Sequence, residues 1–163
     1  LKPTPWLTER HGYDPTWLGT MGFGLGAAIG ACIATGKRTV LFTGDGSFGM
    51  NLNELATAVS QKLPVVIVIL NNGVLGMVRQ WQTAFYQKHY SQTTLERKTN
   101  FAALAEAFGA RGLAAATPEE LERCLDAAFS VNGPVVIDCA IDKDERVLPM
   151  IPPNCSVEQI ILN

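Results

Sequence analysis

No run of lysines or arginines occurs in these 163 residues, and thirteen basic against fifteen acidic side chains leave a formal net charge of -2. That balance gives no electrostatic reason to expect nucleic-acid binding. No apolar stretch reaches the ~20 uninterrupted residues a membrane-spanning helix needs, and no secretory leader is recognisable, so no membrane association is expected. The four cysteines, Cys32, Cys124, Cys139 and Cys155, form no C-x-x-C pair. Buried reduced thiols, and with them a cytoplasmic location, are the simpler expectation. Histidine occurs twice: His11 has no recognisable partner, and His89 sits in "QKHYSQ", where solvent exposure is expected rather than catalysis. Internal repeats and low-complexity segments are both missing. A chain that opens on Leu1 rather than Met reads as a fragment or processed product.

Hydrophobic residues make up 47% and charged residues 17%, a globular balance with no sign of disorder. A single domain of this length buries roughly 70% of the surface its unfolded chain exposes. "TVLFTGDG" (39–46), "PVVIVILNN" (64–72) and "PVVIDCAID" (134–142) are β-branched runs without polar alternation, as strands buried on both faces of a parallel sheet should be. "RGLAAA" (111–116) is a weaker fourth candidate.

Helical spacing lies between the strands. Leu52, Leu55, Ala56 and Val59 recur at i, i+3, i+4 and i+7, as do Phe101, Leu104, Ala105 and Phe108. Asn51 with Glu54 predicts a capping box for a helix over 52–61, and Thr117, Pro118 and Glu120 predict another over 118–130. Both glutamates therefore read as structural. Alternating strands and helices predict a doubly wound α/β domain with a mainly parallel sheet and helices on both faces. Ligands of such sheets bind outside the carboxyl ends of the strands. Residues 1–17, rich in proline and without periodicity, read as an irregular lead-in to a domain over 18–163.

One short stretch poses a chemical problem. "GDGSFG" (44–49) fits the dinucleotide pattern G-x-G-x-x-G, yet places Asp45 where a pyrophosphate would sit. That pattern also needs an acidic residue about 20 positions on, to hold a ribose hydroxyl. Here the following strand ends in Asn71-Asn72. Asp45 would repel bound phosphates unless a cation lay between them. Mg²⁺ takes oxygen ligands and is typically held by one or two protein oxygens together with substrate phosphates. If the strands ending at "GDG" and "NN" are neighbours, their ends lie about 5 Å apart, so Asp45 and Asn72 can flank one ion. Gly46 permits close backbone approach, and the N–H groups of Gly46 and Ser47 can meet phosphate oxygens near a helix start. The segment "GVLGMVRQWQ" turns helical after a glycine and offers further amides. Either feature alone reads as an ordinary turn or strand end. Together on one sheet edge they predict diphosphate binding through a divalent metal.

This constellation resembles the diphosphate-binding domain of thiamine-diphosphate enzymes, whose motif runs from GDG through some two dozen residues to NN. Here 24 residues separate Gly46 from Asn71. "LGTMGFGLGAAIGA", "GDGSFGMNLNELATAV", "LNNGVLGMVRQWQ" and "FYQKHYSQTT" resemble the carboxy-terminal third of acetolactate synthase large subunits, over roughly residues 18 to 163.

The resemblance implies that Asp45 and Asn72 bind Mg²⁺ through their side chains and Val74 through its carbonyl. It gives Met21 a carbonyl contact to the aminopyrimidine ring of thiamine diphosphate, and Met50 the role of propping the cofactor in its bent shape. Gly46, Ser47, Gly76 and Met77 match diphosphate contacts or their neighbours. Trp81 matches a tryptophan lining the substrate channel. Without the resemblance, Met50 and Met77 read equally well as core filler, and Trp81 as a partly buried aromatic.

Also implied are a transferase acting on small 2-keto acids in branched-chain amino-acid biosynthesis, and a homo-oligomer. The activating glutamate belongs to a pyrimidine-binding domain or subunit, and FAD to a middle domain; neither is expected in this chain, so it should be inactive alone. A split 2-keto-acid decarboxylase subunit and a non-catalytic orphan domain are the alternatives. Two departures stand out: "ERHGYDPTW" (9–17) replaces a short Ser/Gly loop before Met21, and Gly26 stands where the family usually has proline.

Overall fold

The computed structural model describes residues 20–96, 98–152 and 154–162. The lead-in, His11 and the "ERHGYDPTW" segment lie outside them. Helix α1 (Phe23–Thr35) precedes strand β1 (Thr39–Gly44). Helix α2 (Asp45–Asn51), a 3₁₀ turn (Leu52–Glu54) and α3 (Leu55–Ser60) lead to β2 (Val65–Asn71). Then come α4 (Gly76–Phe85), α5 (Phe101–Phe108), β3 (Arg111–Ala115), α6 (Pro118–Ser130) and β4 (Val135–Ala140).

All four strands are parallel, in the order β1-β2-β4-β3. The central pair explains the unbroken apolar runs. Val65, Ile67 and Ile69 face one side with α1, α2, α3 and α5, while Val66 and Val68 face the other with α6. Side chains alternate across a strand, so a strand covered on both faces needs an apolar residue at every position. The sheet is doubly wound, as the sequence predicts. β3 is an edge strand built largely of glycine and alanine, which accounts for its weaker signal.

Of the two helix starts read from the sequence, the one at Thr117 forms and the one at Asn51 does not. Asn100 caps α5 by accepting from the Ala103 N–H at 2.9 Å. Thr117 caps α6 by accepting from the Glu120 N–H at 3.2 Å, and Glu120 Oε2 reaches back to the Ala116 N–H at 2.7 Å. The capping box predicted at Asn51 is not formed. The strand stops at Gly44, helix starts at once with Asp45, and Asn51 ends that helix and leads into the 3₁₀ turn without a side-chain cap bond. Its side-chain amide is taken by the Gly22 carbonyl at 2.7 Å, a contact no local pattern encodes. In the same stretch Ala58 is buried, whereas Ala56, predicted on the core stripe, is exposed. The Phe101–Phe108 stripe packs as predicted.

The four cysteines are free; Cys32 and Cys139 are buried, but Cys124 and Cys155 are only half-buried. Burial, with Asp138 and Cys124 nearby, pushes the Cys139 thiol up from its ordinary pKa. Among the described residues no helix is long and apolar enough to cross a membrane.

Candidate functional site

The carboxyl ends of β1 and β2 lie side by side, with Gly44 level with Leu70. Asp45 and Asn72 therefore leave adjacent strands at the same edge. Asp45 is only 4% exposed and occupies the first position of α2. A carboxylate at a helix N-terminus is favoured by the helix dipole, but an exposed one would satisfy that preference without the cost of burial.

The two asparagines do different work. Asn71 donates to Asp138 Oδ1 at 2.8 Å, and Asp138 Oδ2 accepts the Phe101 N–H at 3.3 Å. It thus ties β2 to β4 and to the start of α5. Asn72 points into the loop beyond: its Oδ1 accepts the Val74 N–H at 3.1 Å, and its Nδ2 would lie 2.9 Å from a Cβ placed on Gly76. Gly73, at φ +67°, lets the chain turn there. Leu75 N–H donates to Thr93 O at 2.7 Å, and Leu95 N–H donates to Gly73 O at 2.9 Å. These bonds lace the loop to residues 93–95 and do not use the Val74 carbonyl. Thr93 is 2% exposed, and its hydroxyl has no hydrogen-bond partner among the described residues.

Three loops meet at Gly46. A Cβ there would lie 3.2 Å from Leu75 Cδ2, 3.3 Å from Met21 Cε and 3.7 Å from Leu95 Cδ1. "GTMG", "GDGS" and the segment after "NN" thus converge on one spot. Ser47 Oγ accepts the Gly22 N–H at 3.0 Å, and its hydroxyl proton remains free to donate elsewhere.

Met50 and Met77 are 58% and 49% exposed, which excludes the core-filler alternative for both. Trp81, 37% exposed, meets Phe85 edge to face at 5.7 Å between ring centroids. With Met77, Val78, Gln82 and Tyr86 it lines an open hollow of about 430 Å³. His89 is exposed and lines a second hollow of about 400 Å³ at the far end of α4, away from the strand edge.

Sequence reasoning missed what holds α4 in place. Buried Gln80 donates to Val147 O at 3.0 Å and accepts from Val147 N–H at 2.8 Å. Arg79 donates to Asp144 at 2.7 Å and lies over the Tyr90 ring at 4.0 Å. The Arg79 hydrogen bond holds the Asp144 carboxyl below the usual range, and Asp144 in turn raises Arg79. Val147 and Asp144 lie more than 60 residues from their partners in the chain, so no spacing signals them.

Among the described residues, no three His, Cys, Asp or Glu side chains gather as a metal cluster. A metal at the β1–β2 edge would take a single carboxylate plus amide and carbonyl oxygens. Such a donor set fits a hard cation that completes its shell with phosphate oxygen and water, and not zinc.

Comparison with known proteins agrees with this chemistry. The model of the family described as "Thiamine pyrophosphate enzyme, C-terminal TPP binding domain" matches residues 3–139. The chain is 46% identical over 145 residues to the acetolactate synthase isozyme 2 large subunit of Escherichia coli K12, covering 88% of this chain and 26% of that protein. It is 44% identical over 161 residues to the acetolactate synthase large subunit of Haemophilus influenzae, covering 98% and 28%. It therefore spans about a quarter of the length of these relatives. Among solved structures it resembles benzoylformate decarboxylase from Polynucleobacter necessarius, with TM-score 0.72, 29% identity, and coverage of 80% of this chain and 25% of that one. It also resembles the thiamine diphosphate-dependent 4-hydroxybenzoylformate decarboxylase of Rhodococcus jostii RHA1, with TM-score 0.70, 33% identity, and coverage of 75% and 23%. The chain belongs to the family of C-terminal, thiamine-pyrophosphate-binding domains of thiamine pyrophosphate enzymes, and is homologous to acetolactate synthase large subunits.

Proposed function

We propose that residues 18–163 form the diphosphate-binding domain of an acetolactate synthase-like enzyme, entered through the lead-in of residues 1–17. The observation that carries this reading is the pairing of buried Asp45 with Asn72 at the ends of adjacent parallel strands. Asp45, the Asn72 side-chain oxygen and the Val74 carbonyl would hold Mg²⁺. The amides of Gly46 and Ser47 and the first turn of α4, at Gly76 and Met77, would meet the diphosphate. The Met21 carbonyl would accept from the aminopyrimidine, with exposed Met50 beside it as a prop. Bound thiamine diphosphate supplies the carbon nucleophile and electron sink for decarboxylating pyruvate and joining what remains to a second 2-keto acid. The protein's share is position, electrostatics and exclusion of water, with Trp81 and its neighbours on α4 forming a wall for the incoming substrate.

The remainder of the enzyme would come from a pyrimidine-binding domain or subunit that carries the activating glutamate, and FAD would sit on a further domain. Met21, Phe23, Met50, Met77, Val78 and Trp81 are all exposed apolar residues, which supports burial against such a partner or in a homo-oligomer. Two solved neighbours are decarboxylases, which supports 2-keto-acid decarboxylation, here by a split enzyme's subunit, as the second reading, although their own chains are not split at this domain. The higher identity to the synthases favours the first.

Calorimetry tests the site. Thiamine diphosphate is expected to bind in the presence of Mg²⁺ and to lose measurable affinity when the ion is chelated. Metal-independent binding would sink the proposal. The 163 residues by themselves are expected to turn over no pyruvate when both cofactors are supplied, because the activating glutamate is expected on the pyrimidine-binding domain. Sustained acetolactate formation would refute that.

Gly76 offers a narrower check. A Cβ there displaces the Asn72 amide from 2.9 Å while touching nothing else within 4 Å. Because that amide can swing away, Gly76→Ala is expected to leave the melting temperature nearly unchanged. Mg²⁺-dependent affinity is expected to fall about tenfold, the equivalent of ~1.4 kcal/mol. Unchanged affinity would remove Asn72 from the proposed ligand set.

A further inference from the structure

Gly22 is buried, and the side chains of one turn of α2 hold both of its peptide groups. Its N–H donates to Ser47 Oγ at 3.0 Å, and its carbonyl accepts from Asn51 Nδ2 at 2.7 Å. A Cβ on Gly22 would lie 3.3 Å from Met50 Cβ and 3.2 Å from Asn51 Nδ2. Ser47, Met50 and Asn51 stand at i, i+3 and i+4, so they share one helix face. Gly22 itself is at φ +83°, a conformation that needs glycine and a fixed partner on each side to be unique.

Peptide planarity links this clamp to the neighbouring residue. The Gly22 N–H and the Met21 carbonyl belong to the same trans unit and point in opposite directions. Anchoring the N–H on Ser47 therefore turns the Met21 carbonyl away from α2. Asn51 fixes the next peptide plane, so the unit cannot rotate about Gly22. We infer that Asn51 is a positioning residue for the pyrimidine end of the cofactor: through the Gly22 carbonyl it sets the direction in which the Met21 carbonyl is presented, and holds Met21 in register with Met50. This rests on the proposed function, in which the Met21 carbonyl is the pyrimidine contact. It adds a residue that has no contact of its own with the cofactor.

Two ligands separate the ends of the site: thiamine diphosphate carries the pyrimidine, and inorganic pyrophosphate with Mg²⁺ carries only the diphosphate. Wild-type protein is expected to bind the first more tightly. Asn51→Ala is expected to lower thiamine diphosphate affinity about tenfold, roughly the loss of one part-buried hydrogen bond. Mg²⁺-pyrophosphate affinity is expected to stay within about twofold of wild type on the same grounds, since Asn51 touches nothing at that end. Asn51→Asp has the same shape but no donor, and is expected to behave like Asn51→Ala; a cooperative thermal melt in both variants separates positioning from folding. The inference is overturned if both ligands weaken equally, if neither changes, or if Asn51→Asp binds like wild type. A wild-type protein that binds both ligands equally well makes no pyrimidine contact; that overturns this inference and leaves the metal-diphosphate site standing. Failure of wild type to bind Mg²⁺-pyrophosphate would instead overturn the proposed function itself.

Discussion

Asp45→Ala is expected to abolish Mg²⁺-dependent thiamine diphosphate binding while leaving the chain folded. The proposed ligand set contains one anion, and the other protein donors are neutral oxygens. Removing that anion leaves a divalent cation facing an amide and a carbonyl, so affinity should fall by at least about a hundredfold, or ~2.7 kcal/mol. Folding responds differently. Asp45 is 4% exposed and makes a contact within the fold. Desolvation offsets part of what that contact returns, but truncation leaves its partner without the acid. The loss of an acid at the first turn of α2 adds about 0.3–1 kcal/mol. Asp45→Ala should therefore lower the melting temperature by about 5 °C without unfolding the chain. Asp45→Asn keeps the shape and an oxygen donor, so it should fall between the two in affinity. Calorimetry and a thermal melt on the same three proteins check both halves. Affinity retained by Asp45→Ala would remove the metal from the loop. A collapse in melting temperature would make Asp45 a structural residue.

The fold was legible wherever burial on both faces forced an uninterrupted apolar run. β2 and β4 follow from that constraint, and β1, though an edge strand, carries a similar apolar run; the pairing of β1 with β2 places "GDG" beside "NN". β3 is harder because an edge strand built on Gly112, Ala114 and Ala115 has little apolar area to display. The Asn51–Glu54 pattern misled because a capping box is a local signal, and Gly22, 29 residues upstream, had the stronger geometric claim on the Asn51 amide. Similarly, the doublet Asn71-Asn72 cannot reveal which residue faces the site. Asp138 settles that by binding Asn71 from 67 residues away. Within the site, chemistry was more legible than support. A carboxylate in a phosphate loop demands a cation wherever the chain goes next. By contrast, the Gln80–Val147 and Arg79–Asp144 contacts exist only because the chain after β4 returns across α4.

That dependence on distant support gives the clamp on Gly22 its weight. Asp45, Gly46 and Ser47 belong to one helix start, so their relation is fixed by backbone geometry. Met21 reaches them from a separate segment. Its register with Met50 depends on two side-chain hydrogen bonds and on the missing Cβ of Gly22. A loop inserted before Met21, as "ERHGYDPTW" is relative to the family pattern, has to deliver the chain to the same clamp. The described residues show the clamp closed from Thr20 onward.

The largest effect on stability is expected at Gly112, well away from the chemistry. On β3 it stands level with Val136 of β4, and its N–H donates to Glu106 Oε1 of α5 at 2.8 Å. A Cβ there would lie 2.0 Å from Ala102 O, 2.7 Å from Ala102 C and 3.0 Å from Ala102 Cα. All three atoms are backbone, so no rotamer change relieves the overlap; α5 must move as a body. That helix carries Phe101 and Ala105 into the core, and Phe101 meets Phe48 edge to face at 5.6 Å. Its first N–H is also the one that Asp138 binds while holding Asn71. Ordinary overpacking costs about 1–3 kcal/mol, and a backbone collision of this depth should exceed that range. Replacing glycine with alanine also stiffens the unfolded chain, a gain of about 0.4–1 kcal/mol that is too small to reverse the sign. Gly112→Ala is therefore expected to lower the melting temperature by about 10 °C, at roughly 2–4 °C per kcal/mol. Gly30→Ala is the control. Gly30 lies inside α1 with nothing within 4 Å of an added Cβ, so helix propensity alone should make that change stabilising by up to about 1 kcal/mol. Opposite shifts for the two substitutions would establish that α5 rests directly on the β3 backbone. Equal shifts would mean that it does not.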